Sequence, residues 1–157
     1  MAGLRVLSVV AAISLTACGQ SQAPGASNIE DSDVMTATEP FREFGDWSVH
    51  VSAMVTDQLS AEVATQYGIA RSSSRAMLNV SVVRNAAGMR ADISVSATNL
   101  SGQLRNLSMR EITEESAIYY IGETAVSDGE TLIFTISVTP EGEASQTLRY
   151  MQQFFVD

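Results

Sequence analysis

Apart from its carboxylates, this 157-residue chain has little with which to do chemistry: one histidine, one cysteine, and basic residues that are all arginine. His50 is the sole imidazole. In the run Trp47-Ser48-Val49-His50-Val51, a strand puts Trp47, Val49 and Val51 on one face and Ser48 and His50 on the other. A metal centre needs several converging ligands, and no second histidine exists to join His50. A serine triad would also have to use His50, and no G-x-S-x-G elbow is present. The carboxylate pairs Glu114-Glu115 and Glu141/Glu143 fall at predicted turns, where acids are solvated rather than opposed across a cleft. These residues point to a protein that is not an enzyme and carries no metal or cofactor.

The segment Tyr67-Gly68-Ile69-Ala70-Arg71-Ser72-Ser73-Ser74-Arg75 is the place where binding chemistry is densest. Two guanidiniums around three hydroxyls offer planar, bidentate donors to a carboxylate or phosphate. Arg71, Ser72, Arg75 and Tyr67 are therefore the candidate anion or partner contacts. The simpler expectation is that Arg71 and Arg75 satisfy nearby acids such as Glu62 or Asp46 and fix the local structure in place. Adjacent Tyr119 and Tyr120 must point to opposite sides of a strand, which leaves one ring exposed or covering an edge.

Cys18 has a different role. Arg5, the apolar stretch Val6–Leu15 and the small residues Thr16-Ala17 form the pattern of a secretory signal, too short to span a bilayer. Leu15-Thr16-Ala17-Cys18 resembles a lipobox. The resemblance implies removal of residues 1–17, lipid on Cys18, and membrane attachment through several acyl chains, which together hold far better than one. With no second cysteine, no intramolecular disulfide can form. Gly19 after the cysteine resembles the sorting signal for an outer membrane, so the expected location is the bacterial cell envelope, facing the periplasm.

The formal charge is −9, and loss of Arg5 deepens it to −10, eight arginines against 18 acids. That field argues against nucleic acid, and against anionic lipid surfaces, as partners. Residues 18–40 are Gln, Ser, Ala, Gly and acids with few bulky side chains, the composition of a tether rather than a core. Residues 41–157 then alternate apolar and polar positions between turn signals such as Asn85–Gly88, Asn99–Gly102, Ser127–Gly129 and Pro140–Gly142. About seven strands are expected, at 44–55, 75–84, 89–98, 103–112, 116–124, 130–139 and 145–156. They suggest an all-β, antiparallel two-sheet sandwich of immunoglobulin-like type, with a small barrel as the alternative. One short helix interrupts them, from Ser60 as N-cap to Gly68 as stop, and is expected across an end or edge of the sandwich.

Gly45-Asp46-Trp47, Val49-His50, Leu59, Glu62-Val63-Ala64, Tyr67-Gly68-Ile69, Arg71-Ser72, Leu78-Asn79-Val80-Ser81-Val82, Ala97-Thr98-Asn99-Leu100, Ala117-Ile118-Tyr119-Tyr120 and the ending Phe154-Phe155-Val156-Asp157 together resemble the bacterial family called domain of unknown function 4426. Ala61 stands where such relatives often have proline. The resemblance covers residue 41 to the end and implies a secreted β domain without an assigned activity. The expected function is a lipid-anchored envelope module that binds another envelope protein. A small-ligand-binding sandwich and a hydrolase are the rivals.

Overall fold

Two-residue periodicity sorts the side chains of this chain into a dry set and a wet set, and the two dry faces meet. The computed structural model describes residues 34–156. The signal segment, Cys18 and residues 18–33 of the expected tether lie outside the described residues. One sheet contains β1 (Val34–Met35), β6 (Ala91–Asn99), β7 (Leu104–Leu107), β10 (Thr131–Pro140) and β11 (Gln146–Gln153), in the order β1-β11-β10-β6-β7. The other contains β2 (Phe41–Phe44), β3 (Trp47–Val55), β4 (Arg75–Arg84), β8 (Arg110–Glu114) and β9 (Ala117–Ala125), ordered β2-β3-β4-β9-β8, with β5 (Ala87–Gly88) paired to β4. All pairings are antiparallel except β1 with β11. Between β3 and β4 lie a 3-10 turn (Thr56–Gln58) and the helix α1 (Ala61–Gln66).

The core is built from alternate residues of both sheets. Val49, Val51, Leu78, Val80 and Val82 face Ala97, Leu132, Phe134, Ile136, Val138 and Tyr150, all essentially without solvent contact. Burying each large aliphatic side chain is worth about 1.5–3 kcal/mol relative to exposure. Phe134 packs edge-on against Phe154, with ring centroids 6.4 Å apart.

The sandwich matches the sequence expectation in class but has more strands. Residues 103–112 are two strands in different sheets, β7 and β8, because the chain crosses between the layers at Ser108-Met109. Gly122 of β9 makes room for that crossing: a Cβ there would collide with the Met109 sulfur and lie 3.3 Å from Leu107 Cβ. β2 pairs with β3 through the two-residue turn Gly45-Asp46, and the Phe44 and Trp47 rings stack at 4.6 Å across it. The short strands β1 and β5 complete the difference. The folded domain also begins earlier than residue 41: Val34 and Met35 pair with Arg149 and Tyr150, and Met35 is fully buried. Residues 34–40 therefore belong to the sandwich and not to the tether.

A network ties the turns at one end. Glu130 accepts from Arg105 Nη2 (2.7 Å), Asn99 Nδ2 (3.0 Å) and the Ser127 N–H (3.0 Å). Burial pushes the Glu130 carboxyl up, but these donors and the Arg105 charge outweigh it and hold the group below its ordinary value. A carboxylate depressed in this way stabilises the fold above the ordinary carboxylate range, and that contribution is lost as pH falls through its lower native value. Glu130→Gln should cost about 2 kcal/mol at neutral pH and flatten the acid limb of a stability–pH curve. Urea unfolding at several pH values measures both effects.

The β4–β5 hairpin turns on Asn85 and Ala86, both at positive φ (50° and 62°). An alanine pays a steric cost there that glycine does not, so Ala86→Gly should raise stability by up to about 1 kcal/mol. Two residues on, a Cβ on Gly88 would lie 2.6 Å from the Ile118 backbone nitrogen. Gly88→Ala should therefore destabilise by about 1–3 kcal/mol, and thermal melts of the two variants should move in opposite directions.

Candidate functional site

The second sheet is apolar on both faces near its centre, which determines what the connection between β3 and β4 must do. Ala76, Met77 and Leu78 are buried consecutively, so Met77 points away from the core onto the outer face. There it joins Met54, Ile112, Tyr119 and Ile121 from neighbouring strands. The connection folds back over this patch and adds Leu59, Tyr67 and Ile69. The helix thus lies on the outer face of the second sheet rather than across an end or edge, as the sequence suggested. Its ends are those expected: Ser60 Oγ accepts from the Val63 N–H at 3.2 Å, and Gly68 takes φ +62° just past the C-cap.

Three attachments hold the cover. The buried Thr56 hydroxyl reaches the Ala70 and Ser72 carbonyls (2.9 and 3.1 Å) and accepts from the Ser72 N–H at 3.0 Å. Arg71 Nη2 donates to the Asp57 carbonyl at 2.6 Å. Tyr67 Oη and Gln66 Nε2 both donate to Glu114 Oε1, at 2.8 and 2.7 Å, which joins α1 to the β8–β9 turn. The hydrogen bond to Glu114, then burial and the Glu114 charge, raise the Tyr67 phenol above its ordinary value.

The candidate anion contacts separate in space. Arg71 serves the Asp57 carbonyl, whereas Arg75 Nε pairs with Glu123 Oε2 at 3.4 Å. Neither meets Glu62 or Asp46, the acids suggested by sequence; Asp46 pairs with Arg84 at 3.1 Å. Ser72 Oγ bonds Ser74 Oγ at 3.0 Å within the loop. Of the four, Tyr67 lines a recess beside α1. Its walls are Leu59, Val63, Tyr67, Met77, Asn79, Tyr119 and Ile121, and its volume is about 110 Å³. Met77 and Ile121 are buried, and the other walls are partly exposed. Asn79 Oδ1 is buried without a hydrogen-bond partner.

Sequence reasoning passed over Asn79, although an amide within Leu78-Asn79-Val80 is a residue type depleted from strands. Tyr119 is the half-exposed ring of the tyrosine pair, while Tyr120 is buried and donates to Glu111 Oε2 at 3.2 Å. His50 is exposed, bonds Ser48 Oγ at 3.0 Å and stacks on Phe41 at 5.6 Å. The paired acids are likewise dispersed: Glu114 is occupied by α1, and Glu143 pairs with Arg84. Among the described residues, no group of three or more His, Cys, Asp or Glu is arranged to hold a metal ion. No helix of the described residues is long and apolar enough to cross a membrane.

Fold and site together define a two-sheet sandwich whose outer face carries a helix-covered apolar recess with one unpaired acceptor. The model of the domain of unknown function DUF4426 matches residues 41–157, and the chain belongs to that family. It is similar to the crystal structure of a DUF4426 family protein from Pseudomonas aeruginosa PAO1, with 33% identity over 74% of this chain and 94% of that one, at a TM-score of 0.67. A copper-bound variant of FetP from uropathogenic Escherichia coli strain F11 shares the fold at 8% identity and TM-score 0.53, over 74% of this chain and 95% of that one. No curated protein matches the chain.

The attachment through Glu114 makes a titration prediction. Glu114→Gln should bring the Tyr67 phenol back down toward its ordinary value by removing the acceptor charge. NMR of the Tyr67 ring as pH is raised reads the change, with Tyr150 as an internal reference.

Proposed function

We propose that the protein is a lipid-anchored, non-enzymatic module of the bacterial cell envelope. It holds a protein partner against the α1 face of its second sheet. Lipid on Cys18 fixes it to the membrane, most simply the outer membrane facing the periplasm, and the sandwich presents the site.

The observation that carries this reading is the recess beneath α1, with Asn79 Oδ1 unpaired among apolar walls. Interfaces are anchored by a few side chains that fill such pockets and complete their hydrogen bonds. Volume favours a side chain over a free ligand. Small-molecule sites run to roughly 300–1,000 Å³, whereas about 110 Å³ takes one side chain. A buried acceptor left unpaired costs about 1–3 kcal/mol. Asn79 Oδ1 has essentially no solvent contact as the recess stands, so a donor on the partner recovers that cost as the walls shift to admit it.

Photo-crosslinking in living cells tests the reading, with probes at Val63 and Tyr67 and a control at Thr135 on the opposite sheet. One protein adduct is expected from the α1 probes and none from Thr135; absence of a protein adduct at every position contradicts the proposal. Asn79→Leu should reduce the adduct while leaving the protein as stable as before or slightly more so, since it removes the unpaired acceptor.

A further inference from the structure

The outer face of the first sheet is unlike the rest of this acidic protein. Across it runs one row of cross-strand neighbours, Leu104–Thr98–Ile133–Met151, set by the register of β7, β6, β10 and β11. Leu104 is 64% exposed and Met151 39%, and Leu100, in the turn before β7, is 76% exposed. Large apolar side chains grouped in the open mark contact surfaces. The remaining outward positions of these strands are chiefly Ser and Thr, and the charged ones are Asp92 and Arg149. On the second sheet the outer apolar patch is instead covered by α1 and its flanks, with Phe41 exposed at the margin, and Glu43, Arg75, Arg110, Glu114 and Glu123 stand around it.

The described residues also begin here. Val34 pairs with Arg149, two residues from Met151, and Thr36 and Thr38 lie beside Leu100 and Met151 in one shallow concavity. Cys18 lies sixteen residues before Val34. We propose that this face is the one the protein lays on the lipid surface that holds its anchor, with the Leu104–Met151 row in the headgroup region. The proposal rests on Cys18 being the lipid-bearing residue.

Charge and reach explain why this face is selected. The net charge of the chain opposes an anionic bilayer as a whole, so the face that can approach one is the face with the fewest carboxylates within a Debye length of the headgroups. Among the outward residues of these strands the carboxylate is Asp92, which pairs with Thr139, six residues along β10 from Ile133 and so roughly 20 Å from the apolar row. Exposed Glu39, bridged to Thr36, lies at the margin of the concavity. Arg149 lies between Asp92 and the row, opposite Thr135. Sixteen residues span at most roughly 55 Å, so contact with the bilayer becomes an intramolecular event. At the effective concentration this imposes, a few apolar side chains are enough to populate it. The α1 face is then turned toward the periplasm.

The test uses the full-length lipidated chain in vesicles of phosphatidylethanolamine and phosphatidylglycerol containing nitroxide-labelled lipid. A fluorophore is placed at Leu104→Cys or, on the other face, at Glu62→Cys. Loss of fluorescence is expected at 104 and not at 62, and the double variant Leu100→Asp with Met151→Asp should abolish the loss at 104. Equal signals at 104 and 62 overturn the proposal. The mass of Cys18 reports separately on the anchor. If it carries no acyl chain, the same labelled protein with Cys18→Ser, held by an N-terminal histidine tag on nickel-chelating lipid, still reads which face meets the bilayer.

Discussion

Two-sided burial of β4 and β9 is the constraint on which the functional end of this structure depends. A strand in a sandwich normally has one dry face and one wet face. Here Leu78 and Val80 fill the core while Met77 and Ile121 present apolar surface on the other side. That surface cannot be left open to water without inviting association. The long β3–β4 connection answers the constraint, and its details follow from it. Thr56 fastens the connection where it returns to the sheet, Arg71 fastens it to the 3-10 turn, and Glu114 holds the far end of α1. The six-residue helix α1 covers the patch without filling the space beneath it. That space is the recess, with Asn79 at its wall.

Much of this was legible in the residues. Alternation in Trp47-Ser48-Val49-His50-Val51 and in Leu132–Val138 placed each side chain on its correct face, because a half-buried strand admits no other pattern. Ser60 and Gly68 bounded the helix because capping is local chemistry. The position of the helix was not legible as an end or an edge, yet a signal for it existed. Ala76-Met77-Leu78 and Tyr119-Tyr120-Ile121 are continuous apolar runs, and such runs belong to strands covered on both sides. The short strands escaped for the opposite reason. Val34-Met35 sits among Ser, Asp and Thr, and its pairing is decided by the distant partner β11.

The site was harder to see than the fold. Arg71 and Arg75 attract attention in a chain with so few cations, but their partners are a backbone carbonyl and Glu123, contacts that depend on where the loop returns. Asn79 attracts none, since a single amide in a strand usually faces water. What distinguishes it is burial by a helix sixteen residues earlier in the chain, a relation with no local signature. The family likewise fixes the architecture without naming an activity.

The account's central claim is that α1 and its flanks cover the outer face of β4 and β9 and leave a pocket beside Asn79. Methyl and aromatic NOE spectroscopy of the folded domain tests it most directly. Cross-peaks are predicted from the Met77 and Ile121 methyl groups to Leu59 and to the Tyr67 ring. Their absence, with α1 amides exchanging as freely as those of an exposed loop, would contradict the account.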